Sequence, residues 1–380
     1  MCLWGALVLP AFAAGAADAD AAAEAQSLTS GAIAGEILDT AVEHCRRGER
    51  AQALSMFAAI REQLAPPPAL LQLVKDLEAT GCTPQLEAQV RAFKLVAGGG
   101  YDNNVSQGIS ARSLTLGSGA DELELPLDDS YLPRGSTFMQ VAADYSVPLA
   151  MPGWALLLSA GARAHQRTSQ FDLASAAASL SRVGVLGGRT LRGQLDVSEL
   201  WLGGRRYQRV VGATLQTVLD LDEKGGAWIA HASAAMVDYH LQPTQNAVQY
   251  EAGISRDRRL DAATTVYANA ALQHDAARDT RPGGDRNGFQ VSAGMTRSFQ
   301  GWRLKPQLSL QQWKSRDVFA PGLIDRRRDN RALQWTLQAE KPLTPRQTLV
   351  LEWRARSVRD PIPLYQYKAQ SLGAFIQQQF

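Results

Sequence analysis

The stretch Ser371-Leu372-Gly373-Ala374-Phe375-Ile376-Gln377-Gln378-Gln379-Phe380 decides the fold. Successive side chains of an extended strand point to opposite sides. Leu372, Ala374, Ile376, Gln378 and Phe380 therefore share one face, and Ser371, Gly373, Phe375, Gln377 and Gln379 share the other. One face is mostly apolar, the other mostly polar, and the last residue is aromatic. That is the pattern of the closing strand of an outer-membrane β-barrel, with Leu372, Ile376 and Phe380 as its assembly signal.

The same period of two runs upstream to about residue 90. Leu191, Leu195 and Val197 alternate with Arg192, Gln194, Asp196 and Ser198; Leu333, Trp335 and Leu337 alternate with Gln334, Thr336 and Gln338. About fourteen strands follow, near 90–101, 137–147, 154–165, 173–184, 190–201, 207–219, 227–238, 246–256, 263–274, 287–298, 302–313, 331–341, 347–358 and 367–380. Each is about ten residues long, the span that a tilted strand needs to cross a bilayer. An even count brings both ends of the barrel to the periplasm. Alternate connections agree: those expected inside are short, and those expected outside include the long stretches 104–136, 275–286 and 314–330. The fold expected is a transmembrane antiparallel up-and-down β-barrel behind a small α-helical domain.

Composition fits. In 380 residues the hydrophobic share is 45% and the charged share 20%, and mean hydropathy is −0.19. After the first few residues no apolar run reaches the ~18 that a membrane helix needs. A barrel hides its lipid face in alternation and keeps bulk hydropathy low. A formal net charge of +2 gives no case for nucleic acid as a partner.

Four segments are expected. Residues 1–19 read as a signal peptide, with an apolar Leu3–Phe12 and small-x-small sites at Ala11-Phe12-Ala13 and Ala17-Asp18-Ala19. Residues 20–32 read as a flexible leader, 33–88 as a periplasmic helical domain and 89–380 as the barrel. In the helical part Ile37, Leu38, Ala41, Val42 and Cys45 keep helical spacing, Gly48 breaks the run, and Ala53, Leu54, Phe57 and Ile60 line a second helix. A third helix is expected from Ala69 to Ala79. The stretch AVEHCRRGERAQALSMFAAI, 41–60, resembles half of a tetratricopeptide repeat. One unit cannot bury both its faces and must dock on something. Cys45 and Cys82 suggest a disulfide in the oxidising periplasm, with two separate buried thiols as the alternative.

The inner face carries charge of both signs: Arg163, Arg192, Asp196, Glu251, Arg303, Lys305, Glu352 and Arg354. Aromatic residues near strand ends, among them Tyr145, Trp154, Trp201, Tyr207, Trp228, Tyr239, Trp302, Trp313, Trp335 and Trp353, are expected in the interfacial girdles. The most distinctive motif is VAGGGYDNNVSQG, 96–108. Gly98, Gly99 and Gly100 remove side chains where another backbone approaches closely. Asp102, Asn103 and Asn104 favour turn geometry and local side-chain-to-backbone bonds, and lead the chain out of the first strand.

A short helical repeat segment, then Gly100-Tyr101-Asp102-Asn103-Asn104-Val105 opening a barrel of about fourteen strands, then a terminal Phe, resembles the surface lipoprotein assembly modifier family over about residues 35–380. The resemblance implies an outer-membrane translocator. Such a protein helps lipoproteins or small secreted clients reach the cell surface, with periplasmic repeats receiving the client. This chain departs from that pattern in having only about one repeat. A polysaccharide export porin and a passive porin are the alternatives. Expected partners are outer-membrane lipids, lipopolysaccharide, the barrel-insertion machinery and a protein client. Arg326-Arg327-Arg328 is a candidate contact for lipopolysaccharide phosphates, and the acidic 119–130 a candidate pore plug or calcium loop. No enzyme, cofactor or metal is expected. His274 and Asp275 could form a rim dyad, but no nucleophile motif accompanies them.

Overall fold

A computed structural model describes residues 30–46, 49–63, 74–75, 77–78, 92–116, 123–149, 151, 153–186, 189–221, 226–261 and 263–380. The signal peptide and Cys82 lie outside these residues, as does the 20–32 leader except for Ser30 to Ala32, which already belong to the first helix. Two helices, α1 (Ser30–Arg46) and α2 (Arg50–Gln63), precede the barrel. Of the expected third helix, Val74, Lys75, Leu77 and Glu78 are helical among the described residues. Cys45 is disulfide-bonded.

The barrel is closed and antiparallel, with fourteen strands, as the alternation demanded. It begins with β1 (Ala92–Asp102). A small hairpin follows, β2 (Ser113–Leu116) with β3 (Leu123–Pro126), which the sequence reading did not anticipate. The remaining strands are β4 (Ser136–Pro148), β5 (Trp154–His165), β6 (Leu173–Leu186), β7 (Arg189–Leu202), β8 (Arg205–Leu221), β9 (Ala227–Tyr239), β10 (Ala247–Arg259), β11 (Thr264–Ala277), β12 (Arg286–Phe299), β13 (Trp302–Ser315), β14 (Asp329–Thr344), β15 (Gln347–Arg359) and β16 (Tyr367–Gln379). Consecutive barrel strands pair, and β1 pairs with both β4 and β16. Closure leaves no strand edge unpaired, which is the condition for β-structure in lipid.

Apolar side chains form the outward face. Leu372 is 62% exposed and Ile376 41%, and Met139 on β4 and Leu272 on β11 are each 73% exposed. An apolar belt of this kind has lipid as its natural cover. Three outward tryptophans stand at the ends of strands expected at the periplasm. Each lies under a cation of the next strand: Arg182 over Trp154, Arg256 over Trp228 and Lys341 over Trp302. Trp335 and Trp353 also face outward. Tyr207, Tyr239 and Trp313 correct the girdle expectation. Tyr207 and Tyr239 are buried against each other with ring centroids 5.9 Å apart. Trp313 sits across from Gly288, under the guanidinium of Arg286.

The glycine triplet has a packing reason. A methyl on Gly98 would overlap the Ala374 carbonyl and the Phe375 ring; one on Gly100 would overlap the Leu372 carbonyl and the Phe138 ring. Two aromatic rings thus occupy the space that side chains on β1 would need. At the other end of the same seam the Phe93 and Phe380 rings lie 5.3 Å apart, and the Phe380 N–H donates to the Phe93 carbonyl at 3.0 Å.

Candidate functional site: the barrel lumen and its two mouths

The inner face encloses a cavity of about 1560 Å³. Arg163, Arg192, Asp196, Glu251 and Arg354 line it, as the alternation placed them. Arg303 and Lys305 contact Glu340 at 3.3 and 2.5 Å, and Glu352 contacts Arg354 at 3.2 Å. Between the charges the wall is amide and hydroxyl. Gln273 bridges strands, donating to Glu251 at 2.7 Å while its carbonyl accepts from Gln311 at 3.2 Å. Gln338 donates to Glu352 at 2.8 Å, and Arg163 donates twice to Gln140, at 2.9 and 2.6 Å. His231 Nε2 and Glu251 Oε1 are 3.1 Å apart. This lining offers many hydrogen bonds and no fixed charge of one sign.

At the inner mouth the helical pair seats in the barrel. Ile37, Leu38, Ala41, Ala53, Phe57 and Ile60 form one buried cluster with Val183 of β6, Val218 of β8, and Ala227 and Ile229 of β9. The apolar face of the helical pair is therefore covered by barrel strands near their inner ends. An ion pair joins the two parts: Arg192 Nε lies 3.2 Å from Glu36 Oε2. Burial pushes the Glu36 carboxyl above its ordinary value, while Arg192 draws it down and Asp39 adds to the rise. Thr40 lies over Gly153, whose φ of +75° is a left-handed conformation suited to glycine.

The outer mouth is tied down differently. Asn104 is buried at the base of the 103–135 excursion. It donates to the carbonyls of Gly108 at 3.0 Å and Lys368 at 2.8 Å, and accepts from the Gly108 N–H at 2.6 Å. Asp102 accepts from the Asn104 N–H at 2.7 Å, the turn geometry expected of the motif. Asn103 exchanges bonds with Gln370, its N–H donating at 3.0 Å and its side chain accepting at 2.8 Å. Tyr101 points outward and is half exposed. The motif that opens the barrel is thus a clip between β1, its following loop and β16.

Asp275 is fully buried, with Arg281 and Arg286 each 2.5 Å from its carboxylate. His274, its neighbour, stacks outward on Tyr250 and bonds Asn287 at 2.7 Å. The two residues face opposite sides of the wall, so the proposed rim dyad does not form. Arg328 of the basic run is likewise committed: it pairs with Asp360 at 3.1 Å and lies 3.5 Å from the Tyr365 ring centre. Arg326 donates to the Pro361 carbonyl at 3.2 Å. Arg326 and Arg328 of this run tie outer loops together, while Arg327 is exposed. Of the acidic 119–130 segment, the described Leu123 and Leu125 are exposed on β3, and the cavity wall includes Val105, Ser106 and Gln107 instead. Among the described residues no cluster could hold a metal ion, so the calcium reading has no support there.

No family model and no curated protein matches the chain. It is similar in fold to an anion-selective porin from Comamonas acidovorans, 10% identical over 76% of this chain and 98% of that chain, with a TM-score of 0.39. A FadL homologue from Pseudomonas aeruginosa is 10% identical over 77% of this chain and 90% of that one, at a TM-score of 0.40. OccAB3 of Acinetobacter baumannii is 8% identical over 76% and 99%, at 0.41. The chain is a closed fourteen-stranded barrel of the outer-membrane type.

Proposed function

We propose that this chain is a gated outer-membrane conduit that assists the surface display of a lipoprotein or small secreted protein, the role that its resemblance to surface lipoprotein assembly modifiers implies. The observation that carries this reading is the helical pair seated in the inner mouth on Val183, Val218, Ala227 and Ile229. A stopper at that mouth suits a conduit that opens for a client. It also places a helical surface where a client in the periplasm would arrive. The amide-rich wall suits a polar chain moving without a trap of single-sign charge. Nothing in this role needs a catalytic group.

A passive porin is the second reading, favoured by the polar cavity of about 1560 Å³. Co-expression with candidate lipoproteins, scored by protease accessibility at the cell surface, separates the two. We expect at least one lipoprotein to lose exposure when this gene is removed. Unchanged exposure of every candidate, together with a constantly open pore in planar bilayers, would assign the chain to the porins.

A further inference from the structure

The outward face of the barrel carries an unbalanced group of cations at the outer ends of β13 to β16. Arg331 shares its face of β14 with exposed Leu333 and Trp335, and Arg359 shares its face of β15 with Leu351 and Trp353. Lys368 is in step with the outward Leu372 on β16. Register brings these residues together: Arg331 directly opposes Arg359, and Ser357 directly opposes Lys368. Lys314 stands opposite Asp329 on the next pair of strands.

Two guanidinium groups directly across a strand pair destabilise a sheet unless an anion answers them. The carboxylates nearby do not suffice. Asp329 lies 3.1 Å from Arg331, and Asp360 is buried and held by Arg328. Neither Arg359 nor Lys368 forms an ion pair among the described residues, and both are exposed. At two other places on the rim such charges are matched. Glu199 meets Arg209 and His240 at 3.0 and 2.9 Å, and Asp238 meets Arg278 at 2.5 Å. A depression of about 560 Å³ lies among Arg331, Arg359, Lys368, Ser357 and Ser110, with Asp329 and Asp360 also on its wall, each already paired with an arginine.

We propose that this depression is a binding site for the phosphate groups of an outer-leaflet lipopolysaccharide. Arg359 offers a planar fork that matches phosphate oxygens, Lys368 adds a point charge, Arg331 adds positive charge from its pair with Asp329, and Ser357 and Ser110 add hydroxyl donors. The apolar strip below, with Leu333, Trp335 and Trp353, is where the acyl chains of that lipid lie. The site rests on the membrane barrel alone and stands whether the conduit carries a protein or a solute.

The test uses the purified full chain in detergent, with bisphosphorylated lipid A, the same lipid stripped of phosphate, and inorganic phosphate as three separate probes. The Arg359→Ala/Lys368→Ala variant should bind bisphosphorylated lipid A about ten-fold or more weakly, the loss expected when charge-assisted phosphate contacts are removed. The stripped lipid should bind the wild type at that weaker level. Arg182→Ala, at the opposite end of the strands, should change nothing. Gel mobility of the unheated protein reports folding. Should the double variant fail to fold, Lys368→Gln and a salt titration of the wild type replace it, with affinity expected to fall as salt rises. Equal binding by the variant, equal binding of the stripped lipid, or salt-independent binding would each overturn the site. Inorganic phosphate binding as tightly as lipid A would overturn its assignment to a lipid.

Discussion

The two mouths of the barrel are held by different physics. At the outer mouth, buried polar clamps fix several loops to the rim: Asp275 between Arg281 and Arg286, Arg328 between Asp360 and Tyr365, and Asn104 across three backbone groups. These contacts are directional, and each fails if one partner is lost. At the inner mouth, non-directional apolar contact holds the helical pair on one sector, with the Arg192–Glu36 ion pair beside it. A stopper held by burial can leave and return without orphaning a buried charge. On the proposed reading, the part that moves is therefore the helical pair.

Breaking an outer clamp should have the largest effect. Asp275→Ala leaves Arg281 and Arg286 facing each other beside a vacated, fully buried position. Removing one partner of a buried charge cluster costs roughly 3–5 kcal/mol. The temperature at which the folded barrel loses its fast gel mobility should drop markedly, and the 278–285 loop should become open to protease. An unchanged melting temperature would mean that the outer loops are held by something other than their charge clamps.

Breaking the inner contact should cost less and read out differently. Ile229→Ala removes a buried side chain that supports the helices from the barrel side. Its cost falls toward the lower end of the roughly 2–5 kcal/mol typical of such truncations, because the site borders the mouth and can relax. Gel mobility and melting should stay near wild type while conductance in planar bilayers rises. A matched fall in melting temperature with no gain in conductance would make the helices part of the barrel's core and not a stopper.

The strands were legible because lipid imposes one rule on every one of them: apolar outward, polar inward, for about ten residues. The stretch 137–147 became Ser136–Pro148 and 347–358 became Gln347–Arg359, shifts of a residue or two at the ends. The aromatic errors have two causes. Trp313 keeps step with Arg303 and Lys305, so its parity already placed it inside, and proximity to a strand end was the weaker signal. Tyr207 is the extra residue where the β7–β8 register slips, opposite Leu200 and Trp201, and a bulge of that kind resets parity without a mark in the sequence. The surplus apolar face of the helical repeat was legible, but its seat was not. Contacts of Ile37, Phe57 and Ile60 with Val183, Val218, Ala227 and Ile229 depend on closure of the barrel. The same holds for the rim cations, since Arg331, Arg359 and Lys368 meet only through strand register.

The finest test of the contrast between the mouths is titration of the ion pair beside the stopper. Burial raises the Glu36 carboxyl above its ordinary value of 4.5, against the opposing pull of Arg192. The docked state therefore holds a proton more tightly than the undocked state. An acid shifted upward contributes docking stability that is fully present below the ordinary value and is lost as pH rises through the docked value. Acidification from neutral toward pH 4.5 should thus tighten the stopper and lower the open fraction in single-channel recordings. Glu36→Gln mimics the protonated form, so it should hold the low open fraction at every pH and erase this dependence. The Asp275 clamp should be indifferent over the same window, and protease access to the 278–285 loop supplies the control. If Glu36→Gln keeps the full pH dependence of the wild type, the titrating group lies elsewhere. If conductance instead falls as pH rises from 4.5, the ion pair outweighs burial, and the stopper is held by charge after all.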